Sequence, residues 1–230
     1  MKPSYYEKSA AAFVRGMAVK GELELPAELG EPSFDDLSTG ELNAVVCLGA
    51  KSGLRLHRFK RTSVLPRAQR VFGVLKGLQP SSLLDVGSGR GVFLWPLLDS
   101  FQGLPVTAID LRQDRAEQLA CARLGGMEQL VAHRMDVTEL NFDDSSFDVT
   151  TALEVVEHIP DAQEAINEIT RVSRQAVIVS VPSKEDDNPD HIHLFTQDTM
   201  REMFHQAGVT KIKFDYVLNH MIAVANVQQT

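Results

Sequence analysis

The sequence predicts an α/β fold: a mostly parallel sheet of seven strands with helices on both faces, preceded by an N-terminal helical appendage. Three observations predict it. Apolar runs at 83–86, 106–110, 130–135, 147–153 and 176–181 alternate with segments of helical periodicity, which makes successive strands parallel. The first run is followed by three alternate glycines, Gly87, Gly89 and Gly91, where a strand has to turn into a helix. Four of the runs end at or just before an acid: Asp85, Asp110, Asp136 and Glu154.

The chain has 230 residues, 43% of them hydrophobic, enough for one sizeable domain plus an appendage and too few for two domains of typical size. The expected division is an appendage over 1–64 and a domain over 65–230. A formal net charge of -8 excludes a protein that coats nucleic acid with its whole surface, while leaving room for a local basic patch. Cys47 and Cys121 form neither a metal-ligand spacing nor a disulfide framework, so a reducing, cytoplasmic setting is expected. Tyr5, Tyr6, Glu7 and Lys8 stand where a signal peptide needs an apolar run, and no stretch approaches a membrane span.

Taken in order, 5–19 has loosely helical spacing, and 21–36, with Pro26, Gly30 and Pro32, reads as a loop. Leu42, Val45, Val46 and Leu48 suggest a helix that stops before Gly53. Pro66, Ala68, Val71, Phe72 and Leu75 give an amphipathic helix with proline at its first position, expected beside the first strand. After the glycines, 92–101 should be helical, but Pro96 means that it either starts late or is kinked. Helices follow over 112–124, closed by Gly125 and Gly126, and over 161–172, with Ala165, Ile166 and Ile169 on one face. The run at 176–181 is apolar throughout, as a strand covered on both sides should be. A polar, acidic loop occupies 182–193, Thr196 can cap a helix that ends by Gly208, and 212–227 reads as a closing antiparallel pair.

The glycine spacing bears on the ligand. A dinucleotide turn has the form G-x-G-x-x-G, but here the third glycine is Gly91 and Val92 takes that pattern's last position. The carboxylate of Asp85 would repel a pyrophosphate and suits a cationic ligand. The pattern Asp85-x-Gly87-x-Gly89-x-Gly91 resembles the first motif of class I S-adenosylmethionine-dependent methyltransferases, whose ligand carries an α-amino group and a sulfonium. The resemblance extends over roughly 75–227 and implies a Rossmann-like sheet and S-adenosylmethionine as cofactor. It implies a cofactor-binding set of Asp85, Gly87, Ser88, Gly89, Arg90, Gly91, Asp110, Leu111, Asp136, Val137 and Glu154. Within it Asp85, Gly87 and Gly89 hold the methionine moiety, Asp110 the ribose hydroxyls, and Asp136 with Val137 the adenine. Glu154 then lies near the acceptor channel, and His158 is the candidate base.

Glu154, Glu157 and His158 stand three and four apart, a spacing that puts them on one helical face and, with His191 or His193, could make a metal site. This resembles metal-dependent small-RNA 3′-terminal 2′-O-methyltransferases. The same Glu-x-x-Glu-His-Ile-Pro segment also occurs in small-molecule members of the ubiquinone-pathway type, so no metal is expected, with Glu154, Glu157, His158 and His193 as the alternative. His133, His205 and His220 are expected to be packing or surface residues.

The resemblance implies a methyltransferase acting on an unidentified small molecule or RNA. The alternative is a non-catalytic S-adenosylmethionine-binding regulator or scaffold; a nicotinamide-dependent oxidoreductase is disfavoured by Asp85 and Val92. The stretch 51–76 is rich in Lys and Arg and has no acid. It is expected either to form a cationic rim, through Arg55, Arg58, Lys60 and Arg61, that selects an anionic acceptor such as RNA or a phosphorylated metabolite, or to pair with the acidic remainder of the surface.

Overall fold

The structure is a computed structural model that describes residues 5–59, 64–185 and 187–227. Seven strands form one sheet: β1 (Leu83–Val86), β2 (Val106–Asp110), β3 (Leu130–Arg134), β4 (Phe147–Leu153), β5 (Ser173–Pro182), β6 (Lys211–Val217) and β7 (His220–Asn226). Their order is β3-β2-β1-β4-β5-β7-β6. β1, β4 and β5 pair in parallel, whereas β7 runs antiparallel between β5 and β6. The last strand along the chain, β7, is therefore internal, and β6 takes the edge.

Backbone contacts divide the chain into two compact units. The first joins the described residues up to Val64 with 88–108 and 112–134, so the N-terminal helices share a unit with core helices. In it α1 (Tyr5–Val19) packs on α3 (Thr39–Lys51), α5 (Leu94–Ser100) and α6 (Gln113–Leu124). Small residues allow this: a Cβ on Gly16 would lie 1.8 Å from the Cys121 carbonyl oxygen, and one on Gly125 would lie 1.7 Å from that of Ala12. Arg15, nearly buried, donates from Nη2 to the carbonyls of Gly30 and Pro32, both at 2.7 Å, and so ties down the segment read as a loop. That segment contains a one-turn helix, α2 (Ala27–Gly30), and a 3₁₀ turn at Phe34–Asp36. A capping box of Ser38 and Glu41 starts α3. α5 starts late, at Leu94, so Pro96 falls in its first turn, where its missing N–H costs no hydrogen bond.

The second unit comprises 65–87, 109–111 and the described residues from Met135 onward. Its core is built by Leu84, Val86, Val177 and Val179 from the strands against Ile166 and Ile169 of α7 (Ala162–Arg171) and Met200 and Phe204 of α8 (Gln197–Gln206). Thr196 caps α8 through a box with Thr199, as its position predicts. The amphipathic helix α4 (Pro66–Leu78) buries Ala68, Val71, Phe72 and Leu75, and its main strand contacts are with β5 and β6 rather than with β1, the strand it precedes. Sheet order, not sequence adjacency, decides its partners. A pair between Arg70 and Asp215 of β6 fastens its exposed side.

Candidate functional site

All four residues of β1 are buried, including Asp85. Burial of a carboxylate requires hydrogen bonds, and Thr151, its register partner on β4, donates one from Oγ1 to Oδ1 at 2.8 Å. The chain then turns through Gly87, Gly89 and Gly91 at φ of 64°, 55° and 73°, left-handed conformations that side chains rarely adopt. The Gly87 amide donates to the Ile109 carbonyl at 2.8 Å, and a Cβ there would meet Val155 Cγ2 at 2.5 Å. A Cβ on Gly91 would meet Trp95 Nε1 at 2.1 Å, and that indole N–H donates to the Arg90 carbonyl at 2.9 Å. The turn is fixed by its own packing. Ser88 is half-buried and Arg90 exposed.

Asp110 ends β2, and Leu111 after it is exposed. α6 takes Arg112, not Asp110, as its N-cap residue. Asp136 is exposed, with Oδ1 accepting from both the amide and the hydroxyl of Thr138 at 2.9 and 2.8 Å, while Val137 beside it is buried. One side of that carboxylate is thus committed to its own turn.

The segment after β4 departs from the expected helix. Glu154 has φ of 60°, a strained position for a residue with a Cβ, and only Val156–His158 form a 3₁₀ turn. The carboxylates of Glu154 and Glu157 therefore do not share a helical face. Glu154 turns to a cluster of its own: Ser180 donates to Oε1 at 2.8 Å, His220 Nε2 lies 3.0 Å from Oε2, and Arg67 Nε lies 4.0 Å from Oε1. Glu157 is fully buried, and neither of its carboxylate oxygens has a hydrogen-bond partner. Burial, with the nearby charge of Glu154 adding to it, pushes its carboxyl up to about 8.

Ligand atoms of Glu157, His158 and His191 lie within 4.8 Å of one another, an arrangement with the donor types of a cation site. Among the described residues this grouping takes His191, one of the two histidines the spacing offered, and contains neither Glu154 nor His193. His193 instead places Nε2 2.9 Å from the Ile159 carbonyl. His158 Nδ1 lies 2.8 Å from the Asp190 carbonyl, which can only accept, so the hydrogen is on Nδ1 and the Nε2 lone pair is left available.

Sequence spacing does not link Arg67, a member of the basic stretch, Ser180 or His220 to Glu154, and His220, expected as a packing or surface residue, meets its carboxylate. Of the basic stretch, Arg55 is exposed, whereas Lys60, Arg61 and the side chain of Arg58 lie outside the described residues. Among the described residues no helix is long and apolar enough to cross a membrane, and both cysteines are free thiols.

Residues 84–181 match the family model described as "Methyltransferase domain". The chain is 36% identical over 108 residues to the ubiquinone biosynthesis O-methyltransferase of Alkalilimnicola ehrlichii, covering 46% of this chain and 42% of that protein. It is 27% identical over 170 residues to the malonyl-[acyl-carrier protein] O-methyltransferase of Geobacter sulfurreducens, covering 63% and 62%. It thus spans less than two thirds of either relative. Among solved structures it is similar to phosphoethanolamine N-methyltransferase 2 of Haemonchus contortus, determined with phosphomonomethylethanolamine and S-adenosylhomocysteine. That likeness has a TM-score of 0.53 at 19% identity over 64% of this chain and 38% of the other, and it concerns the fold.

Proposed function

We propose that this chain, a member of the class I S-adenosylmethionine-dependent methyltransferase family, transfers the methyl group of S-adenosylmethionine to an acceptor that presents a hydroxyl. The observation that carries this reading is the buried Asp85 leading directly into three glycines held at positive φ. A left-handed turn directly after an acid offers backbone groups and negative charge to a ligand that carries an ammonium and a sulfonium. The residues present fit that ligand. Asp110 offers two acceptor oxygens to two vicinal ribose hydroxyls, and Asp136 and Val137 are assigned to the adenine.

S-adenosylmethionine supplies a methyl group already activated by its positive sulfur. The chain has to hold the acceptor in line with it and provide a suitable electrostatic setting. Glu154 and His158 are assigned to the acceptor side, where Nε2 of His158 is able to take a proton. The ubiquinone biosynthesis O-methyltransferase relative supports an oxygen acceptor. Arg55, Arg58, Lys60 and Arg61 support an anionic one, RNA or a phosphorylated metabolite, and their replacement by Ser should raise the acceptor KM and flatten its salt dependence. The exposed free thiol of Cys47 supports a reducing, cytoplasmic location.

Calorimetry tests the cofactor. S-adenosylmethionine and S-adenosylhomocysteine should both bind, and NADH should not; tight NADH binding alone would refute the reading. A non-catalytic regulator would bind both yet yield no S-adenosylhomocysteine with any extract.

A further inference from the structure

Three separate elements converge on Glu154. α4 brings Arg67, β5 brings Ser180 and the first residue of β7 brings His220, which pairs with Pro182 of β5 in the antiparallel register. The Glu154 backbone is anchored as well, its amide donating to the Ser180 carbonyl at 2.8 Å. A non-glycine residue is held at positive φ only where its surroundings over-determine it, and such strain collects at functional sites. The cluster is not core: the side chains of Arg67, Glu154 and His220 remain 24%, 20% and 23% exposed.

The ring of His220 has two contacts at the same nitrogen, and they are incompatible in the neutral imidazole. Nε2 lies 3.0 Å from Glu154 Oε2 and 3.4 Å from Arg67 Nη1. To meet a carboxylate it must carry hydrogen; to meet a guanidinium it must carry the lone pair. The shorter contact, to the acceptor-only carboxylate, decides: Nε2 is protonated and the lone pair resides on Nδ1. A histidine so held by a carboxylate is a base whose conjugate acid is already stabilised. His158 lacks this. It bonds a neutral carbonyl, and the carboxylate of its neighbour Glu157 is buried without a hydrogen-bond partner.

We propose that His220, oriented by Glu154, is the proton acceptor for the methyl-accepting hydroxyl, in preference to His158. This rests on the methyltransferase reading. As the acceptor oxygen forms its bond to the methyl carbon, the carbon–sulfur bond breaks and its electron pair stays on sulfur, leaving a neutral thioether. The hydroxyl proton passes to Nδ1 of His220, and the imidazolium is held through Nε2–H by the ionised Glu154. The charged groups facing the ring are Glu154, after β4, and Arg67, from α4; Ser180 from β5 is neutral. Arg67, with Nε 4.0 Å from Glu154 Oε1, holds that carboxylate beside His220, a positioning role.

Two measurements test the proposal. Nitrogen NMR of the ¹⁵N-labelled full chain should show His220 as the Nε2–H tautomer, and Glu154→Gln should weaken that preference; an Nδ1–H tautomer in the wild type would overturn it. Methyl incorporation from labelled S-adenosylmethionine into an extract of the source cells, which contains the natural acceptor, should fall at least about 100-fold in His220→Gln, with the acidic limb of the pH profile lost. His158→Gln should retain more of the rate, and calorimetric S-adenosylhomocysteine binding should persist in both variants. An unchanged rate and profile in His220→Gln also overturns it. Failure of the wild type to bind S-adenosylhomocysteine would instead refute the methyltransferase reading, whatever the tautomer.

Discussion

The Thr151 hydroxyl and the Asp85 carboxylate face each other across β1 and β4 in a 2.8 Å hydrogen bond, both residues buried. Thr151→Val keeps the shape and the β-branch but removes a donor from a carboxylate that water does not reach. Urea unfolding should show a loss of about 1.5–3 kcal/mol, and S-adenosylhomocysteine affinity should drop with it. An unchanged midpoint would mean that other partners suffice to hold Asp85.

Asp110 ends β2, two residues before the N-cap of α6. Asp110→Ala should weaken S-adenosylmethionine and S-adenosylhomocysteine alike, by about 1.5–3 kcal/mol, because the ribose is common to both. A loss confined to one of the two would remove Asp110 from the ribose site.

Glu157 couples stability to pH. The unfolded chain releases this proton near the ordinary carboxyl value of 4.5, whereas the folded state keeps it to about 8. Between those values the native state binds more protons, so stability is fullest below the window and declines as pH rises through it, by up to about 1.4 kcal/mol per pH unit. Glu157→Gln, which has no proton to lose, should flatten the decline. Denaturant midpoints at the two ends of the window decide it; a slope that persists in the variant belongs to other groups.

Gly16 lets α1 reach the backbone of α6, with the Cys121 carbonyl 1.8 Å from where a Cβ would sit. Gly16→Ala should force the helices apart and cost about 1–3 kcal/mol or more. Gly73→Ala in α4 is the control: no atom lies within 4 Å of its Cβ position, and it should be neutral or stabilise by up to about 1 kcal/mol. Thermal melts of both compare the two sites directly. Equal melting points would show that α1 and α6 can adjust.

Methyl incorporation into cell extract should survive a divalent-metal chelator. Burial keeps the Glu157 carboxyl neutral near pH 7, and Glu154, the second acid that a cation would want, is engaged with Ser180 and His220. Loss of activity restored by Mn²⁺ would overturn this and direct attention to Glu157, His158 and His191.

The strand and turn assigned to the cofactor were legible in the sequence because their signals are local. Asp85 and the three glycines fall within seven residues, and their conformations are dictated by what a Cβ forbids, so a short window specifies the strand and the turn. The same holds for Pro96 in the first turn of α5 and for the cap at Thr196. The acceptor side is different. The spacing of Glu154 and Glu157 suggests one helical face, but φ at Glu154 turns them apart, and backbone strain of that kind is imposed by distant partners.

The sequence by itself determined the α/β alternation, the glycine turn, the strand-end acids and most helix limits, each set by periodicity or by steric rules acting over a few residues. Tertiary structure decided that β7 inserts between β5 and β6, that α4 packs chiefly against β5 and β6, and that His220 therefore meets Glu154 while His191 rather than His193 joins Glu157. Those outcomes depend on strand order and register, which are fixed by packing energies summed over the sheet and leave no mark at the positions they bring together.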